Sequence, residues 1–203
     1  MPLIKYNNQS LSSLTALPAA IPTGKLKLIS SQTASDSASI SFTTGLNSTY
    51  KVYKFVFVNI SSATNNVNLV FNGSTDSGSN YNVTKTTTVF VAYHKEDGSD
   101  AVLEYGGNED LAQSTAFQNI STNLKNDSDM GTSGSLTLFN PASTTYVKHF
   151  IARTNGMNQN TYSMDYNTAG YFNTTSAINA VRFQMSTGNI AAGTIYLYAI
   201  DNS

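Results

Sequence analysis

Hydrophobic and polar positions alternate along most of this chain, with a period of two. After Gly24, Leu26 and Leu28 alternate with Lys25 and Lys27, and Ile40 and Phe42 alternate with Ser39, Ser41 and Thr43. Successive residues of a strand point to opposite faces, so this spacing predicts β-strands with one buried and one wet side. Tyr53, Phe55 and Phe57 fall opposite Val52, Val56 and Val58. A strand that is apolar on both faces is expected at the centre of a sheet, buried on one side and covered on the other. Val67, Leu69 and Phe71 alternate again, and the turn-rich segment Ser61-Ser62-Ala63-Thr64-Asn65-Asn66 predicts a hairpin between these two strands.

Val89-Phe90-Val91-Ala92-Tyr93 reads as a buried run, followed by a charged turn from His94 to Asp100 and a strand at Val102-Leu103-Glu104-Tyr105. From Gly106 to Met130 the pattern is weakest; irregular structure is expected there, with one helical turn at Glu109 to Gln113. Alternation returns at Leu136 and Leu138, at Tyr146 to Arg153, at Tyr162, Met164 and Tyr166, at Tyr171-Phe172, at Val181, Phe183 and Met185, and at Ile195, Leu197 and Ala199. About eleven short strands separated by Gly and Asn turns, with no helical period longer than two turns, predict an all-β fold, an antiparallel jelly-roll-like β-sandwich. Residues 1–24 stand apart: their apolar residues are irregularly spaced and the segment closes on Pro18 and Pro22. They read as an extended N-terminal arm preceding a single domain over 25–203. Leu3, Ile4, Tyr6, Leu11 and Leu14 are its candidate anchoring residues. Such an arm packs either on the flank of its own domain or on a neighbouring subunit.

Composition narrows the function. Ser, Thr and Asn make up 74 of the 203 residues, whereas charged residues are only 11%. That skin suits many weak, water-compatible contacts better than catalysis. There is no Cys, which removes disulfides, thiolate nucleophiles and Cys-based zinc sites and fits folding in a reducing cytosol. The net charge is -1 and no basic stripe runs along the chain, so nucleic acid is not an expected partner. No signal peptide is read at Met1 to Asn8, and the longest apolar-rich stretch, Phe55 to Val58, has strand rather than membrane-span length.

No enzyme is expected. His94 and His149 are the two histidines, neither in a recognisable nucleophile setting, and no Gly-x-Ser-x-Gly elbow occurs. A glycosidase pair would be drawn from Glu96, Asp97, Glu104, Glu109 and Asp110, which read first as turn residues. Asp127 and Asp129, followed by Gly131, form an incomplete calcium-loop fragment and are the best cofactor candidate, with Asp97-Gly98-Ser99-Asp100 a similar near-miss. Tyr162, Tyr166 and Tyr171 cluster in an Asn/Thr/Ser-rich stretch. They serve as sandwich packing, as a subunit interface, or as a platform for sugar rings.

The segment from Ala177 to Ile200, with its Gly188-Asn189-Ile190 turn and closing Leu197-Tyr198-Ala199-Ile200, resembles the C-terminal signature of virion proteins from tailed phages of marine bacteria. Ala199 stands where that group has glycine. Ser135 to Phe150, Ala169-Gly170-Tyr171-Phe172-Asn173 and the opening Leu3-Ile4-Lys5-Tyr6-Asn7-Asn8 are similar to the same group. The resemblance implies a β-sandwich on the virion exterior, as capsid decoration, knob or fibre, made in the bacterial host cytoplasm. It implies a homo-oligomer, a trimer by the threefold habit of virion appendages, with the arm anchored to other virion proteins at the capsid or a vertex. Two roles follow: a structural decoration or appendage subunit, or a host-adsorption module of a tail or head fibre. The second would read a cell-surface glycan through the Tyr162 to Phe172 region or the Glu96 to Asp100 loop.

Overall fold

Twelve strands and no helix make up residues 26–200, the part of the chain described by the computed structural model. In chain order they are β1 (Leu26–Thr33), β2 (Ile40–Phe42), β3 (Val52–Ser62), β4 (Val67–Ser74), β5 (Lys85–Lys95), β6 (Ala101–Tyr105), β7 (Gln118–Leu124), β8 (Thr132–Phe139), β9 (Lys148–Met157), β10 (Tyr162–Phe172), β11 (Ala180–Met185) and β12 (Ile190–Ile200). They form two antiparallel sheets, one of eight strands in the order β1-β12-β3-β8-β9-β10-β5-β6 and one of four in the order β2-β11-β4-β7. The subset β1-β12-β3-β8 faces β2-β11-β4-β7 with the chain passing alternately between sheets, which is the jelly-roll-like wrapping expected from the sequence. The hairpins β5–β6 and β9–β10 then widen one sheet only, so the larger sheet overhangs the smaller.

Period-two alternation builds the core. Tyr53, Phe55 and Phe57 of β3, Leu136 and Leu138 of β8, and Ile195, Leu197 and Ala199 of β12 point inward and are essentially inaccessible. They meet Leu69 and Phe71 of β4 and Val181, Phe183 and Met185 of β11. Phe183 lies at the middle of this aromatic cluster, with ring centroids 5.1 Å from both Phe55 and Phe57, 6.2 Å from Phe71 and 6.4 Å from Phe42. A smaller cluster of Val89, Val91 and Tyr166, with Tyr93 and Met164 against it, continues the inner face onto the overhang.

The edge of the small sheet is closed by side chains from the large one. The carbonyls of Asn119 and Ile120 on β7 accept hydrogen bonds from the Thr168 and Thr154 hydroxyls, the first at 3.2 Å. The Thr87 hydroxyl donates to the Gln118 side chain at 2.6 Å. An edge strand left bare would expose backbone acceptors to a competing chain, and inward-facing threonines answer that need. Nearby, β10 carries Phe172 between two lysines, Lys148 of β9 and Lys85 of β5, in one cross-strand row. Both lysines are fully buried; the Lys148 ammonium donates to the carbonyls of Tyr146 (2.8 Å) and Thr174 (3.1 Å), and that of Lys85 to Ala116 (2.5 Å).

The structure corrects four expectations. β3 and β4 lie in different sheets, so 61–66 carries the chain across the sandwich and is not a hairpin turn. The stretch from Gly106 to Met130 contains a full strand, β7, whose inward residues include the buried polar Gln118, Ser121 and Thr122, which no hydrophobic count registers. At Glu109 to Gln113 the backbone makes a turn closed by the Gly106 carbonyl, accepting from Glu109 (2.9 Å) and Asp110 (3.2 Å), without a helical turn. The outer face of β3 is not covered by any described element, and Val58 there is exposed. The arm and its candidate residues Leu3, Ile4, Tyr6, Leu11 and Leu14 lie outside the described residues.

Candidate functional site

The overhang of the large sheet forms one wall of a cleft of about 280 Å³. Register places the wall: Met164 pairs with Tyr93, and Tyr166 pairs with Val91, which in turn pairs with Glu104. All of these point toward the small sheet, so the floor is apolar where Val91, Met164 and Tyr166 meet. Tyr93 and Tyr162 stand edge to face, with centroids 5.3 Å apart and planes at 89°, and make an aromatic corner. Thr122 and Asn123 at the end of β7 and Asn158 in the β9–β10 turn form the opposite wall. That turn is stitched to β7 by the Gln159 amide donating to the Asn123 carbonyl at 2.8 Å. Gly106 lets the chain leave β6 across the floor, because a Cβ there would stand 2.9 Å from the Val89 side chain.

Three carboxylates rim the cleft, each beside a tyrosine hydroxyl. The Tyr162 hydroxyl donates to Asp100 at 3.1 Å. Glu109 takes a hydrogen bond from the Asn119 side-chain amide and lies 3.5 Å from the Tyr166 hydroxyl. The charge of Glu104 acts on the Tyr93 hydroxyl. All three tyrosines are consequently held above the ordinary phenol value. At Tyr162 the bond to Asp100 is the main cause; at Tyr93 and Tyr166 it is burial, followed by the charges of Glu104 and Glu109 respectively. The Tyr162 and Tyr166 phenols are thus donors to Asp100 and Glu109, and the remaining carboxylate lone pairs make the cleft rich in acceptors.

Of the three tyrosines singled out from the sequence, the structure brings Tyr162 and Tyr166 together here and separates Tyr171. β10 is one continuous strand, and Tyr171 is an odd number of residues from Tyr166, so it points to the opposite face. There it borders a hollow of about 390 Å³ with Phe139, His149 and Ile151, its ring 6.0 Å from His149. Of the candidate acids, Glu104 and Glu109 reach the cleft; Asp97 pairs with Lys95 at 3.1 Å, and Asp110 accepts from Tyr105 at 2.5 Å. Asp127 pairs with Lys125 at 2.7 Å, and Asp127 and Asp129 are not joined by a third acid or histidine in any metal-holding group among the described residues. Sequence reading passed over Tyr93, Asn123 and Asn158; Tyr93 ends an apolar run and reads as core, and the asparagines read as turn residues.

The opposite, outer face of the large sheet is also distinctive. One cross-strand row runs Leu28, Tyr198, Lys54, Thr137, Ile151, Ala169, Thr88, and the next runs Tyr196, Val56, Ser135, Arg153, Asn167, Phe90, Tyr105. Leu103 is 73% exposed on this face, Ile151 55% and Phe90 50%. Its main ionic feature is Arg153, forked onto Asp165 at 2.8 and 2.6 Å. No family model, no curated protein and no solved structure matches this chain.

Proposed function

We propose that this chain is a non-enzymatic structural subunit of a tailed-phage virion surface, a capsid decoration, knob or appendage protein that works as a homo-oligomer. The observation that carries this reading is the outer face of the eight-stranded sheet, which no described element covers. Eight strands span roughly 34 Å across and the shared rows roughly 24 Å along, so the face offers on the order of 800 Å². That is about what each partner contributes to a stable protein interface. The occupant is a second copy of the same chain. The face is eight strands wide, with apolar and aromatic side chains set among short hydroxyls, and its central ion pair is satisfied within the chain. The resemblance to virion proteins adds the threefold symmetry and the position on the particle, with residues 1–24 binding the shell or a vertex.

Light scattering coupled to size exclusion tests the assembly. The wild-type chain is expected as an oligomer, and the double variant Phe90→Lys with Ile151→Lys as a monomer of 21.8 kDa before the small change in mass from the substitutions. Both sites are exposed within one chain, so the fold should tolerate the charges, which circular dichroism checks. A wild-type monomer at high micromolar concentration would sink the proposal. A separate experiment addresses the arm: removing residues 1–24 should abolish association with particles while leaving the oligomer intact. Particle binding by the shortened chain would remove the arm from the anchoring role.

A further inference from the structure

The cleft under the overhang faces away from the proposed assembly surface, so it stays open whichever copies pack on the outer face. Its chemistry is lopsided. Asp100, Glu104 and Glu109 contribute three carboxylates, while the other side chains around them are tyrosines, amides, a threonine and aliphatics. Lys95, whose charge is felt at Tyr162, is already engaged by Asp97 at 3.1 Å. The Tyr162 and Tyr166 hydroxyls donate to Asp100 and Glu109, which leaves acceptors rather than donors there for whatever enters. A ligand that suits such a space brings several N–H or O–H donors and a positive charge. It also needs an apolar side to lie on the Tyr93–Tyr162 corner, where an aromatic face attracts a cation. A metal ion is a poorer match, because the acids are spread around the rim and none of the described residues form a group of three that would hold one.

We propose that this cleft binds an organic ammonium group, the protonated amine of an amino sugar or an alkylammonium headgroup, seated on the Tyr93–Tyr162 corner with its charge toward Asp100, Glu104 and Glu109. The aromatic corner supplies shape, the acids supply charge complementarity, and Asn123 and Asn158 stand where hydroxyls on the ligand frame would meet them. A volume of about 280 Å³ admits one sugar-sized unit and not an extended chain.

Calorimetric titration of the full-length protein with glucosamine, ethanolamine and N-acetylglucosamine distinguishes the sources of the charge. Binding by glucosamine identifies an amino sugar, and binding by ethanolamine alone an alkylammonium headgroup; either should weaken as salt is raised. N-acetylglucosamine, which keeps the ring and loses the charge, should bind at least about tenfold more weakly. Glu104→Gln, at an exposed position that the fold does not need, should weaken the ammonium ligand about tenfold. Asp129→Asn changes net charge equally, outside the cleft, and should leave affinity unchanged. The proposal fails if neither ammonium compound binds, if N-acetylglucosamine binds as tightly as glucosamine, or if the two variants lose affinity alike.

Discussion

Replacing Phe183 by Ala should lower the unfolding free energy by about 3 to 5 kcal/mol, the cost of emptying a phenyl-sized space in a packed core. Phe183 occupies the centre of β11, flanked in its own sheet by Ile40 and Phe71 and facing Phe55 and Phe57 across the sandwich. Its neighbours are themselves fully buried on two rigid sheets, so they have little freedom to collapse into the gap. For a chain of this size each kcal/mol moves the melting midpoint by roughly 2 to 4 °C, which places the expected fall near 10 °C. Phe90→Ala, a chemically identical change on the half-exposed outer face, should cost the monomer less than about 0.5 kcal/mol. Differential scanning calorimetry of the two variants at a concentration where the chain is monomeric makes the comparison. A loss below about 1 kcal/mol for Phe183→Ala would mean that the two sheets are not locked together around this ring.

Much of this core is legible in the sequence because parity is a strong signal. The alternation around Phe55, Leu136, Phe183 and Leu197 marks both the strands and their inward faces. Parity also separates Tyr171 from Tyr166, but only once Tyr162 to Phe172 is recognised as one strand rather than two pieces. Where inward positions are polar the signal vanishes: β7 turns Gln118 and Thr122 inward, and its edge is completed by hydroxyls from strands far away in sequence. The two-sided apolar character of β3 is plain in the sequence, yet no described element covers the second face. That mismatch is the observation from which the proposed assembly surface starts. The cleft was partly legible. Tyr162, Tyr166, Asp100, Glu104 and Glu109 all carry visible chemistry, but their convergence depends on β5, β6 and β10 extending past the small sheet, which is a property of strand order.

Lys85 should make stability depend on pH in a way that Lys85→Met abolishes. Its side chain is fully buried at the start of β5, with one carbonyl partner at Ala116 and the Phe172 ring 5.8 Å from its nitrogen. Burial pulls its pKa from the ordinary 10.5 down to about 7. Below pH 7 the ammonium is charged in both the folded and the unfolded chain, and the full cost of burying it is present, on the order of 5 kcal/mol. Between pH 7 and 10.5 the folded chain gives up the proton while the unfolded chain keeps it, so the unfolded state binds more protons and stability rises with pH. Above 10.5 both forms are neutral and the contribution is gone. Methionine fills a similar volume without a charge, but it strands the Ala116 carbonyl at a cost of about 1 to 3 kcal/mol. The variant is therefore expected to be more stable than wild type below pH 7 by about 3 kcal/mol, with the advantage shrinking as pH rises, reversing at about pH 9 and standing as a deficit above 10.5. Lys148, whose pKa burial also lowers, has two carbonyl acceptors and titrates alike in both proteins, so the difference between the two curves isolates Lys85. Urea unfolding midpoints of wild type and Lys85→Met, measured from pH 5 to 11 and referred to one m-value, read that difference directly. Parallel curves would show that the Lys85 ammonium is solvated in the folded protein, and the row it shares with Phe172 and Lys148 would then be open to water at its β5 end.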